Sequence, residues 1–127
     1  MREFVQRLAT TYAVECFPRT SATSLLIDKG QTLIFEITVP DSPLEWFVEG
    51  RISGAVAWSD WVDYYAMQSE SHDELTLNMM QDVQSFLQAV LERQIRLVNR
   101  KSTSSTEGLS IEWEIDGHWK AISISMA

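Results

Sequence analysis

The stretch that most constrains the fold lies near the end of the chain, where LSIEWEI and HWKAISI flank the dipeptide Asp116-Gly117. Two alternating runs joined by Asp-Gly form a two-residue hairpin of the type I′ kind, since both turn positions need positive φ. The turn fixes the register. Ile115 faces His118, Trp113 faces Lys120, Ile111 faces Ile122 and Leu109 faces Ile124. That side is expected to be the core side. Glu112, Glu114, Trp119, Ser110 and Ser123 fall on the other side.

The rest of the chain reads as strands framed by helices. Residues 2–16 have helical spacing, with Phe4, Leu8 and Tyr12 at i, i+4 and i+8, and Pro18 ends the run. SLLI (24–27), a turn at Asp28-Lys29-Gly30 and QTLIFEITV (31–39) predict a hairpin. EWFV (45–48), a turn at Glu49-Gly50 and RISGAVAW (51–58) predict a second, with Ile52, Val56 and Trp58 on one face. The segment WSDWVDYYAM sorts better at helical than at strand spacing: a strand would put Trp58, Asp60, Val62 and Tyr64 together. A short helix over about 60–68 is therefore expected, with Trp61 and Tyr65 as core anchors and Asp60, Asp63, Tyr64, Met67 and Glu70 outward.

Ser71 and Glu74 form a capping box, and Asp73 and Glu74 suit the positive end of a helix. An apolar stripe through Leu75, Met79, Val83, Phe86, Val90 and Leu97 extends that helix over about 72–99, roughly 40 Å. NRKSTSSTEG (99–108) is a polar loop. The expected order is α-β-β-β-β-α-α-β-β. The fold class is α+β: an antiparallel sheet of about five or six strands, the N-terminal helix and the long helix on one face, and a C-terminal β-hairpin.

A chain of 127 residues fits a single domain over 1–127 and buries enough surface to need no metal or disulfide. Cys16 is the single cysteine, so no internal disulfide can form, which fits a reducing compartment. Glu3, Arg7 and Glu15 interrupt any secretory apolar segment, and the longest uncharged run, Val83 to Leu91, is far short of a membrane span. A cytoplasmic protein is expected.

The formal net charge is −8. Nine acids and one base, Arg51, lie between Glu36 and Glu74, whereas Arg93, Arg96, Arg100 and Lys101 form a basic island without an acid. Such a chain makes a poor partner for nucleic acid or anionic membrane, which need clustered cations. Arg93, Arg96 and Arg100 would share a helical face, where bases in the last turns complement the dipole.

Two surfaces stand out as places for a protein partner. One is the acidic edge of 58–70: Asp60, Asp63, Tyr64, Met67 and Glu70. The other is the outward face of the closing hairpin: Glu112, Glu114 and Trp119. Aromatic side chains dominate interface hot spots, and carboxylates around them steer a basic partner. The plainer alternative is that the aromatics are core and the acids merely solvated. Catalysis has little support. His72 sits at a helix start, His118 beside a tight turn, and Cys16 at a helix C-terminus that opposes a thiolate. Glu70, Ser71, His72 and Asp73 match no metal-ligand spacing, and there is no phosphate loop or nucleophile elbow.

No catalytic, metal or cofactor residue is therefore expected. The expected function is a small acidic binding module, immunity-protein-like or secretion-chaperone-like, that docks a basic or partly unfolded protein and can form a homodimer. Two alternatives are a structural subunit of a larger assembly, resting on the surplus length of the long helix, and a ligand-binding or enzymatic domain with a pocket between sheet and helix.

Overall fold

A computed structural model describes residues 1–42, 44–64, 71–100 and 108–127, with Arg100 described by its backbone alone. The fold is α+β, with an N-terminal helix, a longer second helix and a C-terminal strand hairpin. The elements in order are α1 (Arg2–Tyr12), β1 (Glu15–Pro18), β2 (Ala22–Asp28), β3 (Leu33–Pro40), β4 (Glu45–Ile52), β5 (Ala55–Asp63), α2 (His72–Glu92), β6 (Ile95–Arg100), β7 (Gly108–Ile115) and β8 (His118–Ala121), then a short 3₁₀ turn over Ile124–Met126. The strands form two antiparallel sheets, β1-β2-β3-β4-β5 and β6-β7-β8.

The first helix ends earlier than expected. Ala13 takes the left-handed conformation at φ 55°, and its N–H bonds back to the Ala9 carbonyl. Residues 15–18 are thereby freed to form an edge strand on β2. The second helix also stops early, at Glu92, where Arg93 turns extended. Residues 95–99, expected as the end of the helix, and Arg100, expected in a loop, pair with β7 instead: Ile95 lies opposite Trp113 and Leu97 opposite Ile111. Without β6, β7 would have an open edge on that side. The start of α2 is as expected, for the Ser71 hydroxyl accepts the Glu74 N–H at 3.2 Å.

Strand alternation builds the core. Leu25, Ile27, Leu33, Phe35, Ile37, Val39, Trp46 and Val48 all point to one face of the large sheet and are buried. Val5, Leu8 and Ala9 of α1 and Met79, Val83, Phe86, Leu87, Ala89 and Val90 of α2 join the same apolar cluster. Ile111 and Trp113 of β7 belong to it too. Phe86 is the junction, its ring 5.9 Å from Trp46, 6.2 Å from Trp58 and 5.8 Å from Trp113.

Glu49-Gly50 was expected to be a turn. In the structure Gly50 lies within β4, and the chain turns at Ser53-Gly54, both with positive φ. A Cβ on Gly50 would sit 2.9 Å from Ile111 Cδ1 and 3.2 Å from the Phe35 ring, so the glycine is there to let the second sheet approach. The register shifts at Gly50/Arg51, which puts Val56 opposite Arg51 and turns it outward, away from Ile52 and Trp58. The closing hairpin has the expected register, with Ile115 opposite His118 and Trp113 opposite Lys120, and the Asp116 and Gly117 φ values of 51° and 81° suit a type I′ turn. The Ile122 N–H still bonds the Ile111 carbonyl. Leu109, however, lies opposite Asn99 rather than Ile124, because the chain has left the sheet by then.

Candidate functional site

Of the segment expected to be a helix over about 60–68, residues 60–63 belong to strand β5 and 65–68 lie outside the described residues, and this rearranges the proposed site. Trp58, Asp60 and Val62 lie opposite Gly50, Val48 and Trp46, on the core-facing side of the large sheet. Ser59, Trp61 and Asp63 lie opposite Glu49, Phe47 and Glu45, on the side away from the core. Trp61, expected as a core anchor, is 54% exposed, and Tyr64, expected outside, is 2% exposed. Tyr65, Met67 and Glu70 lie outside the described residues.

Tyr64 is held by a chain of hydrogen bonds. The Trp46 indole N–H donates to its hydroxyl at 3.0 Å, and the hydroxyl donates to Asp82 Oδ2 at 2.7 Å. Burial, then the bond to Asp82, push its pKa well above the ordinary tyrosine value, so it stays a neutral donor. Asp60 also works inward. Its Oδ2 accepts the Ile124 N–H at 2.9 Å and its Oδ1 accepts the Trp61 N–H at 2.9 Å, which ties the C-terminal turn to β5. A cavity of about 380 Å³, lined about equally by polar and apolar groups, lies beside this tie, with Asp60, Asp82, Trp61, Val62 and Ile124 among its walls.

The second expected surface is present, but the protein itself occupies it. Glu114 lies opposite Trp119 on the outward side of β7 and β8. Arg96, expected on a helix with Arg93 and Arg100, stands on β6 opposite Glu112. Its guanidinium lies 4.3 Å from the centroid of the Trp119 ring and donates to Glu112 Oε1 from Nε at 2.8 Å and Nη2 at 2.7 Å. An internal cation thus engages Trp119 and Glu112 on the hairpin's face. Arg93 goes elsewhere, over the Trp113 ring at 4.5 Å and onto the Met126 carbonyl at 2.7 Å.

The open surface is the outer face of the large sheet. Phe17, Ile34, Val56 and Trp61 keep 42, 39, 52 and 54% exposure there. Glu36 lies at its centre and is buried, holding Arg19 Nη2 at 3.1 Å and Arg51 Nη1 at 3.0 Å and accepting from the Ser24 hydroxyl at 3.1 Å. Burial alone would raise its pKa; the Ser24 hydrogen bond and the two guanidinium groups outweigh that and hold it below its ordinary value.

Around Trp61 the balance is negative. Phe47 faces it across the strands, Asp63 lies two residues on, and Glu45 and Glu49 occupy the diagonal positions. Glu45 and Asp63 stand directly opposite each other, and among the described residues neither has an ion-pair partner. Opposed like charges destabilise a sheet slightly. On the other side of Trp61 from this pair runs a shallow groove of about 490 Å³, lined by Phe47, Glu49, Ser59 and Trp61 with Val48 and Asp60. Sequence reading found Asp63 here but missed Trp61, Phe47, Glu45 and Glu49. The missed signal was β-propensity: Trp58, Trp61, Val62 and Tyr64 all favour strands.

Other chemistry is thinly represented. Cys16 is a half-buried residue of β1 and not at a helix end; burial pushes its thiol pKa up against the pull of Arg2. Among the described residues no three His, Cys, Asp or Glu side chains are grouped to hold a metal ion, and no helix is long and apolar enough to cross a membrane. No known protein family, curated protein or solved structure matches this chain.

Proposed function

We propose that this chain is an acidic protein-docking module whose contact surface is the outer face of the β1–β5 sheet, centred on Trp61. The observation that carries this reading is the exposed Trp61 opposite Phe47, ringed by Asp63, Glu45 and Glu49. A tryptophan supplies much binding area at little entropy cost, and interfaces concentrate their affinity in such residues. The surrounding carboxylates favour a basic protein and speed its encounter. Immunity-type neutralisation of a basic toxin and chaperone-type holding of a secreted protein both need such a surface.

The test compares the wild-type chain with a Glu45→Gln, Trp61→Ala, Asp63→Asn variant as bait for proteins from the source cell. The expected result is one dominant partner held by the wild type, released in about 0.5 M salt, and lost with the variant. All three positions are at least partly solvent-facing, so the variant's unfolding free energy should fall by no more than about 1 kcal/mol. Equal capture by wild type and variant rejects this face as the docking surface.

A further inference from the structure

The small sheet shows what a tryptophan flanked by carboxylates holds in this protein. The Arg96 guanidinium lies over Trp119 at 4.3 Å while two of its nitrogens reach one oxygen of Glu112. The large sheet presents the same residue types on its outer face without the arginine. Trp61 has Asp63, Glu45 and Glu49 at neighbouring positions, and among the described residues no cation lies over its ring. Arg51 shares this face, but its guanidinium is engaged with Glu36 and Glu49.

From this juxtaposition we infer that the outward Trp61 ring, with Asp63 and Glu45 at its neighbouring positions, is the seat of an arginine side chain from a protein partner. The guanidinium stacks on the Trp61 ring and reaches the carboxylates of Glu45 and Asp63. The inference rests on the docking reading above and names its anchor. Arginine fits better than lysine because a planar, weakly hydrated cation can stack and fork its hydrogen bonds at once, whereas an ammonium is a compact, strongly hydrated point charge. Binding would also relieve the Glu45–Asp63 repulsion.

The test uses the full chain with hexa-arginine and hexalysine peptides of equal charge, at about 0.15 M salt, followed through the indole N–H signals of the five tryptophans. Hexa-arginine is expected to bind about three- to tenfold tighter than hexalysine and to shift the Trp61 signal most, identified by its loss in Trp61→Phe. Trp61→Ala should abolish the preference and leave both peptides with equal, weaker, charge-driven binding. Equal affinities in the wild type, or a preference that survives Trp61→Ala, overturn the arginine seat. The Glu45→Gln, Asp63→Asn variant separates that failure from a failure of the docking reading. If it weakens both peptides alike, the acidic face stands without the seat; if it changes neither, both fall.

Discussion

Glu36 lies on the open face of the large sheet and is nevertheless only 8% exposed. Its carboxylate collects Ser24, Thr38, Arg19 and Arg51, and so joins β2, β3, β4 and the β1–β2 turn on that face. Its folded pKa is depressed, so its contribution to stability is full above the unfolded value of 4.5 and is lost as pH falls through the folded value. Glu36→Gln should cost about 1–3 kcal/mol at neutral pH, toward the low end because both arginines are partly hydrated. The gap from wild type should close as denaturant unfolding is repeated at falling pH; a constant gap would mean that packing, not charge, is what Glu36 supplies. Tyr64 makes a similar case without a charge of its own. Tyr64→Phe strands the buried Trp46 indole N–H and should cost about 1–3 kcal/mol, readable as a lowered denaturation midpoint with an unchanged slope.

Among the elements, β4 and β5 carry both the fold and the proposed surface. One side of the pair packs Trp46, Val48 and Trp58 toward Phe86, and the other presents Phe47 and Trp61 to solvent. Gly50 faces Ile111 of the second sheet across the core. Gly50→Ala would bring a methyl group against Ile111 and Phe35 and should destabilise the protein by about 1–3 kcal/mol through overpacking. Pairing it with Ile111→Val, which trims the closest atom, should recover part of that loss in a double-mutant cycle. Additive losses would show that Gly50 is needed for its backbone and not for the space.

For the molecule as a whole, the joint between the two sheets is aromatic. Phe86 touches rings from both, Trp46 and Trp58 on one side and Trp113 on the other. The Asp60–Ile124 bond adds a polar tie between β5 and the end of the chain. Phe86→Ala should therefore cost about 3–5 kcal/mol, and the wild type should unfold in one transition, with near-UV signals from the tryptophans and far-UV signals from the backbone coinciding. Two separate transitions would show that the sheets are held independently and that the shared ring cluster does not couple them.

The features legible in the sequence were those whose signal is local. Asp116-Gly117 set a hairpin and its register, the Ser71–Glu74 box set a helix start, and alternation from Leu33 to Val39 set a strand with one apolar face. Each depends on a dihedral preference or a hydrogen bond within a few residues. Decisions that depend on distant partners were not legible. Asp60 faces inward because Ile124 needs an acceptor, 64 residues away in sequence. Tyr64 is buried because Trp46 and Asp82 satisfy its hydroxyl, and Trp61 is left outside by the same alternation. Residues 95–99 leave the expected helix because β7 offers them an edge, which no nearby glycine or proline announces. Local preference is worth tenths of a kcal/mol per residue, whereas satisfying a buried polar group or a sheet edge is worth more, so tertiary structure overruled the sequence pattern at those points.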